Sequence, residues 1–94
     1  MDGIPRILEV TPVGDLELRV RFDNGQERTY DCGTLLARDA FRRLEIPAFF
    51  RAVRVDPGGY GISWNDDLDL SEYELWTNGK PVPEKVPGRG SVPT

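Results

Sequence analysis

The chain has 94 residues, 12 basic and 16 acidic, and a net charge of −4 at pH 7. This length fits one domain, and the acidic balance argues against general nucleic-acid backbone binding, which requires clustered cations. The sequence has no histidine and a single cysteine, Cys32. That composition excludes an intramolecular disulfide, a thiolate zinc site and the histidine-based catalytic arrangements.

Charge and proline content divide the chain after residue 79. Residues 1–79 hold nine arginines, no lysine and fifteen acidic residues, whereas residues 80–94 are net positive and hold four of the eight prolines. We therefore predict one domain over 1–79 and a disordered tail over 80–94. As an alternative, Lys80-Pro81-Val82-Pro83 would be a peptide ligand for a partner.

The first predicted strand runs from Pro5 to Val13. Pro12 lacks an N–H donor, which places the later part of this strand at a sheet edge or at the strand end. Gly14-Asp15 is a predicted turn into a central hairpin. The first three strands should therefore form a meander.

In the central hairpin, apolar and charged residues alternate over Leu16–Phe22, the period of a half-buried strand. Asp23-Asn24-Gly25 supplies turn chemistry, and the second strand runs to Tyr30. A three-residue loop places Leu18 opposite Tyr30. A two-residue loop would interrupt the apolar face with acidic residues, so we favour the longer loop. It also places Arg21 opposite Glu27, an opposite-charge pair.

The second half of the chain is predicted as helix, hairpin and helix. Helical spacing favours an amphipathic helix over Leu35–Glu45, capped by Thr34. Phe49–Val55 and Tyr60–Trp64 are predicted strands, followed by a loop over 65–70. The final helix has a capping box with Ser71 at the N-cap and Glu74 at N3, and it ends near Asn78-Gly79. The predicted fold class is α+β, with a small antiparallel β-sheet of about five strands.

The acidic residues near this last helix have two interpretations. Asp67-Leu68-Asp69 imitates the start of a calcium-binding loop, but Glu72 and Asn78 replace the glycine and the glutamate that such a loop requires. Acidic residues here are already explained by the positive end of the helix dipole. We therefore predict no metal, no cofactor, no catalytic residue and no enzymatic activity.

Aromatic residues near the acidic positions form a candidate contact surface. Trp64, Tyr73 and Trp76 would anchor a protein partner, while cations of that partner meet the neighbouring carboxylates. Alternatively, Trp64 and Trp76 pack together in the core, as a small chain requires. The predicted partner-binding residues are Trp64, Asp66, Asp67, Asp69, Tyr73 and Trp76.

A second functional hypothesis uses the hairpin arginines. Arg19, Arg21 and Arg28 would contact nucleic acid in a transcriptional regulator, although the same residues also fit a solvated sheet face. Direct nucleic-acid binding conflicts with the acidic body.

Two features predict a cytoplasmic protein. No stretch approaches the roughly 20 apolar residues of a membrane span, and the N-terminus lacks a basic segment followed by an apolar run. Cys32 fits a small buried apolar residue. Edge strands could pair between subunits, which would allow a homodimer.

The order of the motifs resembles a known family, the bacterial domain of unknown function 2442. The resemblance covers roughly residues 5–76. Its first half is carried by Pro5-Arg6-Ile7, the strand ending at Asp23-Asn24-Gly25, and Tyr30-Asp31. Its second half is carried by Phe50-x-x-Val53-x-Val55-Asp56, Gly61-Ile62-Ser63-Trp64, Asp69-Leu70 and Leu75.

The resemblance implies a small α+β domain with an antiparallel sheet and, for many members, a second small protein in an arrangement resembling toxin–antitoxin pairs. Some members carry a helix-turn-helix after this domain, which the Pro-rich residues 80–94 do not fit. Our hypothesis is an antitoxin-like, non-enzymatic interaction module whose partner is encoded nearby.

Overall fold

The computed structural model describes residues 3–82, which form an α+β fold with two antiparallel sheets. The seven strands are β1 (Ile7–Val13), β2 (Glu17–Phe22), β3 (Glu27–Asp31), β4 (Arg54–Val55), β5 (Gly61–Ser63), β6 (Asp69–Ser71) and β7 (Lys80–Pro81). The two α-helices are α1 (Pro47–Phe50) and α2 (Glu72–Asn78), and 3-10 helices span Cys32–Ala37, Asp39–Glu45 and Pro57–Gly59. The predicted fold class is confirmed, although the strands divide between a four-stranded sheet, in the order β1-β2-β3-β7, and a three-stranded sheet, β4-β5-β6.

The central hairpin adopts the predicted register. Leu18 lies opposite Tyr30 and Arg21 opposite Glu27, so the three-residue loop is confirmed. Gly25 has a φ of 88°, a left-handed conformation that favours glycine. The inward residues Leu18, Val20 and Phe22 are fully buried, because this register turns every apolar residue of β2 towards the core.

Charged side chains on the outer face of this sheet pair differently from the prediction. Arg21 binds Glu9 on β1, with guanidinium nitrogens 3.0 and 3.2 Å from the carboxylate. Glu27 instead meets Arg19 at 3.2 Å. The register places Glu9 as well as Glu27 beside Arg21, so the long guanidinium reaches the partner on the other neighbouring strand.

The predicted amphipathic helix over Leu35–Glu45 is wrong in its type and extent. The segment forms two 3-10 helices separated by Arg38, which is extended (φ −99°, ψ 127°). The N-cap of the first is Asp31, whose carboxylate accepts a hydrogen bond from the Gly33 N–H at 2.8 Å, so Thr34 is not its cap. Phe41 and Leu44 are buried, whereas Ala37 and Ala40, at the same helical spacing, are exposed and Leu35 is buried instead. The apolar periodicity therefore predicted burial only in part.

The predicted strand Phe49–Val55 is also shorter than expected. Phe49 and Phe50 belong to α1, which starts at Pro47 because the fixed φ of proline suits the first helical turn. Only Arg54–Val55 joins the three-stranded sheet. The predicted loop 65–70 in turn contains the start of β6, with Leu70 buried opposite Ile62.

Helix α2 is capped as predicted. The Ser71 hydroxyl accepts a hydrogen bond from the Glu74 N–H at 3.1 Å, and the helix ends at Gly79. A Cβ on Gly79 would lie 2.5 Å from the Leu75 carbonyl oxygen and 3.2 Å from that of Thr29. Glycine is therefore needed at this position, where the chain leaves α2 close to the last carbonyl groups of the helix and next to β3.

The four-stranded sheet continues past residue 79, where the sequence places the end of the domain. Lys80 and Pro81 form β7, which pairs with Thr29 and Arg28 of β3. The remainder of the predicted tail, residues 83–94, lies outside the described residues. Within residues 3–82, no helix is long and apolar enough to cross a membrane.

Candidate interaction surface

A groove of about 690 Å³ lies at the edge of the four-stranded sheet where β3 ends and β7 begins. Four carboxylates and one lysine contribute its charged lining, so the groove is strongly acidic. The lining residues are Asp15, Glu17, Thr29, Tyr30, Asp31, Thr34, Glu74, Asn78 and Lys80. We call this feature the acidic groove.

Two of the acidic residues face each other directly. Glu17 at the start of β2 lies opposite Asp31 at the end of β3, and both are exposed. Directly opposed residues of neighbouring strands share a face, and like charges in these positions destabilise a sheet. The Asp31 carboxylate already has a structural role as the cap of the first 3-10 helix. Stability alone does not favour a second carboxylate, that of Glu17, opposite it.

A tyrosine and a glutamate join the sheet to α2 beside these residues. The Tyr30 hydroxyl donates a hydrogen bond to the Glu74 carboxylate over 2.6 Å. Burial, reinforced by this bond, raises the pKa of Tyr30 above its ordinary value. Tyr30 therefore remains a neutral donor that holds the Glu74 carboxylate at the groove wall.

The predicted partner-binding residue Trp64 is buried in the core. It is 4% exposed, its indole N–H donates to the Phe50 carbonyl at 3.0 Å, and its ring stacks on that of Phe50. Trp76 is half-buried in a different place, edge-on to Phe22 and 3.7 Å beneath the Arg28 guanidinium. Both tryptophans serve the core, with partners other than each other.

The other predicted contact residues are on the surface. Tyr73 is 60% exposed on α2, and Asp66, Asp67 and Asp69 are exposed. The Asn65 side-chain oxygen accepts hydrogen bonds from the N–H groups of Asp67 and Leu68, at 2.8 and 2.9 Å. This Asx turn orders the backbone between β5 and β6 and presents two of the aspartates to solvent.

The three arginines of the nucleic-acid hypothesis do not lie on one surface. Arg19 and Arg21 point to the outer face, and each contacts a glutamate. Arg28 lies opposite the inward-facing Val20 and covers the Trp76 ring. Over the part of the chain that the structure describes, these side chains therefore form no continuous basic patch.

Within residues 3–82 the structure contains no cluster of three or more side chains that could hold a metal ion. Cys32 is fully buried, and burial, followed by the charge of Asp31, raises the pKa of its thiol to about 12. A thiol in this setting is protonated at neutral pH and is a poor nucleophile.

None of the predicted site residues lines the acidic groove, although the predicted hairpin register contained part of the signal for it. Once Leu18 faces Tyr30, the next pair in the register is Glu17 opposite Asp31. The approach of Glu74 depends on how α2 packs on the sheet, which alternation along one strand does not encode.

A family model described as "Protein of unknown function (DUF2442)" matches residues 7–81, from the start of β1 to the end of β7. No curated protein and no solved structure matches the chain.

Proposed function

Because the chain belongs to the DUF2442 family of proteins of unknown function, we propose that it is a non-enzymatic interaction module which binds another protein through the acidic groove. The observation that carries this proposal is the opposed pair Glu17 and Asp31, with Asp15 and Glu74 lining the same groove. Grouped carboxylates repel one another in the free protein. Cationic side chains of a partner would relieve that repulsion on binding.

The partner therefore presents lysine or arginine side chains to the acidic groove. The groove volume of about 690 Å³ is sufficient for more than one such side chain. Arginine would bind a carboxylate through two parallel hydrogen bonds, which adds geometric specificity. The acidic charge of residues 1–79 would also speed the encounter with a basic protein.

Tyr73 and the exposed aspartates Asp66, Asp67 and Asp69 would provide a further contact. Tyr73 directly precedes the groove residue Glu74 on α2, and tyrosine is common at protein interfaces. Trp64 has no place in this contact, because its ring is in the core.

A non-enzymatic role is supported by the chemistry of the chain. Histidine is absent from the sequence, and the only thiol, that of Cys32, is buried with a raised pKa. We place the protein in the bacterial cytoplasm as the antitoxin-like half of a small protein pair. A free cysteine stays reduced in that compartment.

The test is co-purification with the product of the adjacent gene. Tagged wild-type protein is compared with Asp15→Lys/Glu17→Lys, which reverses charge in the groove, and with Asp66→Lys/Asp67→Lys, which makes the same charge change elsewhere. We expect the groove variant to lose the partner and the loop variant to retain it. A wild-type protein that captures no stoichiometric partner, or equal losses in both variants, would contradict the proposal.

A further inference from the structure

Both outer strands of the four-stranded sheet contain a proline. The edges of this sheet are β1, which contains Pro12, and β7, which contains Pro81. An edge strand presents unpaired N–H and C=O groups and is a template for another strand. The effect of each proline depends on whether its nitrogen faces the neighbouring strand or points away from the sheet.

The direction at β1 follows from the hydrogen bonds of β2. The Phe22 N–H donates to the Gln26 carbonyl at 2.9 Å, on the β3 side. Backbone groups of successive residues point to alternate sides of an antiparallel strand. The residues of β2 that bond to β1 are therefore Glu17, Arg19 and Arg21, opposite Val13, Thr11 and Glu9. Val10 and Pro12 consequently point their backbone groups away from the sheet.

The direction of the proline at β7 also follows from backbone hydrogen bonds. The Val82 N–H donates to the Glu27 carbonyl at 3.0 Å, and Lys80 lies opposite Thr29. Pro81 falls between these two inward-facing positions, so its nitrogen points outward. At both edges, proline occupies a position where any other residue would offer a donor to an incoming strand.

The beginning of the long edge is closed by a different device. The pairing of β1 shifts between Ile7 and Glu9, which is a bulge at Leu8. The turn around Gly59 also covers the Ile7 peptide, because a Cβ on Gly59 would lie 2.5 Å from the Ile7 carbonyl oxygen. Val10 is therefore the residue of β1 that keeps both an outward N–H and an outward C=O.

We infer that both edges of this sheet are closed to strand addition and that Pro12 closes the later part of the long edge. A second copy of this chain cannot extend the sheet through β1. The partner is likewise held by side chains in the acidic groove and adds no strand to this sheet, a statement that rests on the proposed function.

The test is the oligomeric state of full-length Pro12→Thr, which restores an outward N–H in a residue suited to strands. We expect its mass in sedimentation velocity to rise towards twice that of wild type as concentration increases. Pro47→Ala is the control, because it replaces an exposed proline outside the sheets, and it should match wild type. A Pro12→Thr protein that folds and keeps the wild-type mass throughout would overturn the inference.

Amide hydrogen exchange in wild type provides a second measurement that needs no variant. The Thr11 N–H, which faces β2, should be protected, and exchange at Val10 should not depend on protein concentration. Protection at Val10 that grows with concentration would show that the edge pairs between copies, which would overturn the inference. Neither measurement involves the partner, so failure here is distinct from failure of the proposed function.

Discussion

Glu17→Gln removes one of the two carboxylates that oppose each other across β2 and β3, and it should stabilise the free protein. The pair lies between hydrogen-bonded positions, where side chains approach most closely, at about 5 Å between Cβ atoms. Two unit charges at about 5 Å repel by roughly 0.8 kcal/mol in water. Both residues are exposed, so salt screens part of this repulsion. We expect a gain of about 0.5 kcal/mol.

Urea denaturation at low ionic strength measures this gain. The free energy of unfolding falls by about 1.5 kcal/mol per molar urea, so the urea midpoint of the variant should rise by about 0.3 M. The difference in midpoint between variant and wild type should shrink in roughly 1 M salt. Glu27→Gln is the matched control, because the same change breaks the Arg19–Glu27 ion pair of 3.2 Å. Its midpoint should stay level or fall. If Glu17→Gln is no more stable than Glu27→Gln, the reasoning about the opposed carboxylates is refuted.

Three other predictions concern the structure around the groove. Tyr30→Phe loses the 2.6 Å hydrogen bond to Glu74 and should lower the free energy of unfolding in urea by about 1–2 kcal/mol. Tyr73→Phe, at an exposed position, is the control and should leave this free energy unchanged. Equal effects of the two substitutions would contradict the role of the Tyr30–Glu74 bond. Gly79→Ala would place a Cβ 2.5 Å from the Leu75 carbonyl oxygen of α2 itself and 3.2 Å from the Thr29 carbonyl oxygen of β3, and it should lower stability by about 1–3 kcal/mol. An unchanged melting temperature would refute the need for glycine at this position. Because the pKa of the Cys32 thiol is raised from 9.0 to about 12, its contribution to the free energy of unfolding is complete below pH 9.0 and is lost as the pH rises towards about 12. Between these pH values the stability of wild type should fall more steeply than that of Cys32→Ala. Parallel plots of stability against pH for the two proteins would contradict this prediction.

Local patterns predicted the parts of the fold that depend on near neighbours in sequence. Alternation over Leu16–Phe22 and the glycine at position 25 specified the hairpin and its register. Ser71, one residue before α2, specified the start of that helix through its side chain. These elements begin and end at residues whose local conformation or capping fixes the boundary, so their extent depends little on tertiary packing.

The type and extent of the elements that were predicted wrongly depend on tertiary packing. Apolar spacing over Leu35–Glu45 agreed with the burial of Phe41 and Leu44 but not with the exposure of Ala37 and Ala40, because two successive 3-10 helices do not keep the faces of one α-helix. Phe50 lies within the predicted strand Phe49–Val55, yet Pro47 begins a helical turn that contains it. Short apolar runs of this kind fit either structure until their neighbours are known.

The candidate site was predictable only in part, for the same reason. Exposure of Tyr73 and of the nearby aspartates follows from their positions on α2 and in the turn before it. The burial of Trp64 depends on the Phe50 ring and carbonyl group, fourteen residues earlier. The acidic groove combines residues from the first turn, β3, α2 and β7, a grouping that exists only once these elements are packed together.

The most direct measurement of the central claim is an NMR titration of isotope-labelled full-length protein with a peptide of alternating lysine and glycine. We predict that amide shifts concentrate at Glu17, Asp31 and Asn78 in the acidic groove and weaken as salt is added. Amides of the exposed aspartates Asp66 and Asp67 serve as the internal comparison. Shifts distributed equally between the two acidic regions, or absent from the groove, would contradict the account.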